Sequence, residues 1–104
     1  MSDVVITNNS SEHRYEARLG GELAGHLAYL LLPGDIRLVA TEVRPEFGGR
    51  GVGGALVRAA LDDIAEEGTR RVVPVCSFVR AWIGKHPDYA PLLEQPADRV
   101  GTGV

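Results

Sequence analysis

The 104-residue sequence holds a single cysteine, Cys76. One thiol excludes an internal disulfide framework and suits a reducing compartment, so a cytoplasmic protein is expected. Long apolar runs are also missing. None approaches the roughly 18 residues of a membrane span, and no membrane association is expected. The opening residues, MSDVVITNN, have neither a basic start nor an apolar stretch, so no signal peptide is expected. A basic excess is lacking too. The net charge is -3, and Arg70-Arg71 is the only adjacent pair of arginines or lysines, which argues against nucleic acid as a partner. No repeat is visible, and no spacing of His, Cys and carboxylates makes a metal site.

What is present is an ordinary globular composition, 44% apolar, in a chain of single-domain size. A domain over residues 1–94 is expected, with a flexible tail over 95–104. Val4 to Thr7 reads as a short strand and Asn8 to Ser11 as a turn. Arg14–Leu19 and Leu23–Leu32 flank Gly20-Gly21, a two-residue hairpin signal. In the second of these strands Leu23, Leu27, Tyr29 and Leu31 are expected on one face. Pro33-Gly34-Asp35 is a further turn, and Ile36–Val43 a further strand.

The second half changes period. Leu56, Val57, Ala60 and Ile64 cluster on one side of a helix predicted over Val52–Glu67, with Arg58, Asp62 and Glu66 opposite. Gly68 supplies the stop. Arg71 to Cys76 reads as a short strand, Phe78 to Lys85 as a helix, and Asp88 to Leu93 as a turn. A meander followed by one β-α-β unit predicts an α/β (mixed α+β) fold with helices packed on a mostly antiparallel sheet. Pro74 cannot donate to a ladder. It marks either an edge strand or a point where its strand parts from the neighbour, opening a gap with Cys76 just beyond.

Residues 46–57, EFGGRGVGGALV, place five glycines among positions 48 to 54 and then turn into helix. Backbone amides at a helix N-terminus without crowding side chains suit an anion, and Arg50 adds positive charge. Gly48 and Gly53 have P-loop spacing, but Gly54 and Ala55 stand where lysine and a hydroxyl are needed, so nucleotide hydrolysis is disfavoured. Gly49, Gly51 and Gly54 match G-x-G-x-x-G. Even so, Arg44 to Gly48 intervene after the strand, and no acidic residue ends the next one, which disfavours a dinucleotide.

TEVRPEFGGRGVGGALVRAAL, residues 41–61, resembles the acetyl-CoA motif of the GNAT superfamily of N-acetyltransferases. Gly51 and Gly53 fill the motif's two small positions, and Pro45-Glu46 precedes them. Gly48 stands where the pattern has Gln or Arg. PVCSFVRAWIGKHPDYAPLL, residues 74–93, resembles the Pro-x-Cys-Pro-Phe…His-Pro-Glu-Tyr segment of that superfamily's short stand-alone branch. The resemblance implies a GNAT-like sheet with a splayed parallel strand pair. It implies acetyl-CoA held by Thr41, Glu42, Val43, Gly48, Gly49, Arg50, Gly51, Val52, Gly53 and Gly54, with an unidentified amine as acceptor, in a monomer or weak dimer.

The resemblance also frames the chemistry. Glu42 is a candidate for drawing the proton from the amine. Trp82 stands where many relatives carry a tyrosine general acid, and Ala40 where the short branch often has histidine. Cys76 is the remaining candidate proton donor, or a transient acyl acceptor, or only a small core residue. His86, before Pro87, is expected to end its helix, and His13 and His26 to be bystanders. Two rival readings are a non-catalytic CoA-binding module and a cysteine hydrolase built on Cys76 and His86.

Overall fold

Gly20 and Gly21 both adopt positive φ (57° and 84°), the backbone of a tight hairpin turn, and they join β2 (Arg14–Leu19) to β3 (Glu22–Leu32) in the computed structural model, which describes residues 3–94. The expected tail, 95–104, lies outside the described residues. β1 (Val5–Asn9) and β4 (Asp35–Val43) complete an antiparallel meander, and β5 (Arg71–Pro74) pairs with β4 in parallel, giving the order β1-β2-β3-β4-β5. The architecture is therefore the mixed α+β sheet with one parallel pair that the element order predicts.

Between β4 and β5 runs α1 (Val52–Glu67), with the predicted bounds. Its apolar stripe buries Val52, Leu56, Val57, Ala60, Leu61 and Ile64 against Tyr15, Ala17, Leu27, Tyr29, Ile36 and Leu38 of the sheet. The Tyr15 hydroxyl donates to Asp63 of α1 at 2.7 Å, locking helix to sheet. Gly68, at φ 70°, closes α1 by donating to the Ile64 carbonyl at 3.0 Å. After β5 come α2 (Ser77–Lys85) and a 3-10 segment, Pro87–Leu93, where a turn was expected. Val79, Ile83 and Leu92 bring both into the same core.

Three differences from the sequence reading have local causes. β1 runs through Asn8 and Asn9, where a turn was expected, because both pair with β2, and their side chains hold the Tyr29 hydroxyl and Glu16. In β3 the alternation of faces breaks at Ala24, an extra residue against β2. Ala24 is buried there, Leu23 only half so, and Leu31 stays 43% exposed. β4 carries a second extra residue, Val39. Finally, β5 stops at Pro74 rather than Cys76, because the imino nitrogen cannot continue the ladder.

The sheet face away from α1 bears mostly polar and small side chains, together with the exposed Val5 and Leu30. Glu16 is buried on it, ringed by Asn9 Nδ2 (3.0 Å), Arg14 Nε (2.8 Å) and Arg18 Nη2 (3.1 Å). These three donors hold the Glu16 carboxyl below its usual range, the Asn9 bond most, against the opposing push of burial. Among the described residues, no helix is long and apolar enough to cross a membrane.

Candidate functional site

β4 and β5 share only four register pairs, from Asp35 with Arg71 to Leu38 with Pro74. At the closed end the Arg71 guanidinium grips the Asp35 carboxylate at 3.1 and 3.3 Å, and its amide donates to Gly34. At the other end Pro74 sits opposite Leu38, and the Cys76 amide makes a last bond to the Leu38 carbonyl at 2.9 Å. β4 continues to Val43, but among the described residues no strand follows it on that side. Pro74 is thus both an edge-strand proline and the point of divergence. The Arg80 guanidinium pins the departing chain by donating to the carbonyls of Pro74 (3.0 Å) and Val75 (2.9 Å).

Cys76 is the N-cap residue of α2, and its sulfur lies 3.5 Å from the Thr41 hydroxyl across this opening. Partial burial pushes the thiol up. The Thr41 hydroxyl and the amides of Val79 and Phe78 in the first turn of α2 outweigh it and hold the thiol below its usual range. These amides face the sulfur without forming a formal cap bond. Thr41 and Cys76, two candidates 35 positions apart, therefore meet.

Glu42 does not join them. Thr41 pairs with buried Leu27, so it faces the core, whereas Glu42 pairs with His26 and points to the face away from α1. Val43 packs half-buried against the core. A cleft of about 600 Å³ lies over this part of β4 and the neighbouring β3, lined by Arg14, His26, Thr41, Glu42, Val43 and Arg44 among others. Its floor includes Gly25, where a Cβ would lie 2.6 Å from the Glu42 carbonyl oxygen, so only glycine allows this approach of β3 to β4.

The glycine loop divides into two parts. Gly48 follows a 3-10 turn, Pro45–Phe47, and donates to the Pro45 carbonyl at 3.1 Å. Gly49 and Gly51 both have φ 77°, and nothing lies within 4 Å of the position a Cβ would take, so their backbone is bare to solvent. Gly51 caps α1. The first α-helical bond, Ala55 N–H to Gly51 carbonyl, leaves the amides of Val52, Gly53 and Gly54 without helical partners. Arg50 is exposed beside them, with no carboxylate partner among the described residues. Val52 contributes only its amide, since its side chain is buried in the core.

Gly53 and Gly54 answer a different need. A Cβ at Gly53 would lie 3.0 Å from the Phe78 ring, and one at Gly54 3.4 Å from the Trp82 indole nitrogen. Their missing side chains admit the aromatic residues of α2 against the first turn of α1, a packing role that the glycine pattern alone does not disclose. Trp82 in turn stacks on His86 (ring centroids 3.7 Å apart) under the Arg58 guanidinium. His86 ends α2 as expected and donates from Nδ1 to the Trp82 carbonyl at 2.8 Å. Cys76 and His86 hold opposite ends of a nine-residue helix, on the order of 13 Å long. The structure therefore does not assemble the Cys76–His86 hydrolase pair.

Among the described residues, no group of three or more His, Cys, Asp or Glu is placed to hold a metal ion. Residues 14–92 match the family described as GCN5-related N-acetyl-transferase. No curated protein matches the chain. Solved structures with a similar fold include the ribosomal-protein-S18-alanine N-acetyltransferase from Escherichia coli, at TM-score 0.53 and 19% identity over 57% of this chain and 38% of that one. They include the ribosomal-protein-alanine N-acetyltransferase from Brucella melitensis biovar Abortus 2308, at 0.55 and 22% over 61% and 49%. An aminoglycoside acetyltransferase from an uncultured soil metagenomic sample aligns over 93% of this chain and 71% of its own, at 0.55 and 17%. At these identities the likeness is one of fold, and this chain spans less than half the length of the first two.

Proposed function

The chain belongs to the GCN5-related N-acetyltransferase family, and on that footing we propose that it moves an acetyl group from acetyl-CoA to an amine. The observation that carries the reading is the divergence of β4 from β5 beyond Leu38 and Pro74, which leaves the edge of residues 39–43 unpaired beside the bare amides that open α1. An unpaired strand edge suits the amides of a pantetheine arm, as an added strand would. The bare amides at Gly49 to Gly54, with Arg50, suit a pyrophosphate. The donor fits the residues present, and when bound it supplies an activated thioester.

The protein's own contribution is to position and to handle protons on two sides of one strand. Glu42, on the face away from α1, holds the amine and takes its proton. Cys76, on the core side, gives a proton to the sulfur that leaves. A bond forms between the amine nitrogen and the acetyl carbon, the carbon–sulfur bond breaks, and the two proton transfers balance the exchange. The Thr41 hydroxyl and the first turn of α2 make the Cys76 thiol a readier donor. In this reading Trp82 has no acid–base part, and its ring braces α2 against α1.

Release of free CoA thiol from acetyl-CoA in the presence of a panel of primary amines tests the reading. The expected result is amine-dependent thiol release with a matching N-acetyl product. Binding of acetyl-CoA with no product from any amine would replace it with a CoA-binding module.

A further inference from the structure

Two opposite charges in the cleft, Glu42 and Arg44, have no ion-pair partner among the described residues. Arg44 follows β4 with extended backbone (φ -63°, ψ 140°), so residues 42 and 44 project to the same face, roughly 7 Å apart along the chain. Two bonds set this arginine in place. Its amide donates to the Ala24 carbonyl at 2.8 Å and its Nη1 to the Leu23 carbonyl at 2.7 Å. Both carbonyls lie at the extra residue of β3. The remaining guanidinium N–H groups stay available to a planar anion.

The rest of the cleft reinforces this polarity. Arg14 shares one carboxylate, Glu16, with Arg18, so the arginine pair keeps an excess of positive charge at the rim. His26 lies between Glu16 and Glu42 in register across three strands. A polycation would meet Arg14 and Arg44 along with its single counter-charge at Glu42. An amine that carries an anionic group on a short spacer would meet a partner for each of its charges. The cleft shares Thr41, Glu42 and Val43 with the strand segment assigned to the donor, so an amine held there lies next to the place where the thioester would lie.

Resting on the acetyl-transfer reading, we propose that the acceptor is an amine bearing a carboxylate or phosphate close to its amino group. Its amino group sits at Glu42 and its anion at Arg44. Arg44 thereby becomes a specificity-determining residue for the acceptor.

The test compares kcat/KM at low ionic strength for β-alanine against β-alaninamide, and for phosphoethanolamine against ethanolamine, with spermidine as the polycation. The expected result is at least a tenfold preference for the anionic member of a pair. In Arg44→Gln that preference should collapse to within about threefold, with the loss in KM for the acceptor. Arg37→Gln, on the same face outside the cleft, should keep the preference. Equal or better use of the neutral amines or of spermidine would overturn the proposal, as would an unchanged ratio in Arg44→Gln. A KM rise confined to acetyl-CoA in Arg44→Gln would assign this arginine to the donor and overturn it too. If no amine is acetylated although acetyl-CoA binds, the parent reading fails and takes the proposal with it. Acetylation without anion preference sinks this proposal alone.

Discussion

The Thr41 hydroxyl and the Cys76 sulfur lie 3.5 Å apart, joining β4 to the chain that has just left β5. This contact spans the opening between the two strands and helps hold the thiol below its usual range. Thr41→Val keeps the shape and removes the hydroxyl, so the thiol should titrate higher than in the parent protein. Ultraviolet thiolate absorbance against pH reads the shift directly. An unmoved titration would mean that the α2 amides alone set the thiol.

Cys76→Ala and Cys76→Ser separate packing from proton donation. If the thiol supplies the leaving sulfur with its proton, kcat should fall about 10²-fold while KM for acetyl-CoA stays nearly constant. The donor must be protonated to act, so kcat in the parent protein should decline as pH rises through the lowered thiol range, and Cys76→Ser should lose that limb. Full turnover in a folded Cys76→Ala protein would reduce the residue to a cap and space-filler.

Gly53 and Phe78 give a test of packing. A Cβ at Gly53 would press on the ring at 3.0 Å. This strain opposes the helix propensity that alanine gains over glycine, so Gly53→Ala should destabilise the fold by no more than about 1 kcal/mol. Phe78 is 45% exposed, and shortening it should relieve the clash. Chemical denaturation of Gly53→Ala, Phe78→Leu and the double variant should show the double variant recovering most of the loss. Strictly additive losses would mean that the two residues do not restrain each other.

Glu16 sets an acid limit on stability. Its carboxyl titrates below the ordinary value, so the charged form stabilises the fold above the unfolded pKa of roughly 4.3 and that contribution is lost as pH falls through the lower folded value. The denaturation midpoint of Glu16→Gln should therefore lie below the parent's at neutral pH and approach it in acid. A gap that does not change with pH would show that the shape of the side chain, not its charge, matters.

Legibility in the sequence followed the range of the interactions. Helix α1 could be bounded to the residue, because a glycine stands immediately outside each end and the apolar stripe between them has helical period. Pro74 marked where β5 parts from its neighbour, since its missing N–H is a local fact, although the strand itself was expected to run on to Cys76. The extra residues at Ala24 and Val39 left no such trace. They arise from how three strands register, and the one at Ala24 turned Leu23 away from the packing that simple alternation assigned it. Gly53 and Gly54 read as one loop with Gly49 and Gly51, yet their neighbours are Phe78 and Trp82, some 25 positions on. Nor did the pattern show that Glu42 and Cys76 stand on opposite faces of the sheet.

Acetyl transfer as proposed requires a donor lying along the unpaired edge of β4 with its phosphates at the start of α1. Titration of acetyl-CoA into labelled protein, followed by backbone amide shifts, tests this most directly. The predicted result is saturable shifts confined to residues 41–43, 49–54 and 76–79, with the outer strand β1 unmoved. Shifts confined elsewhere, or none at millimolar ligand, would contradict it.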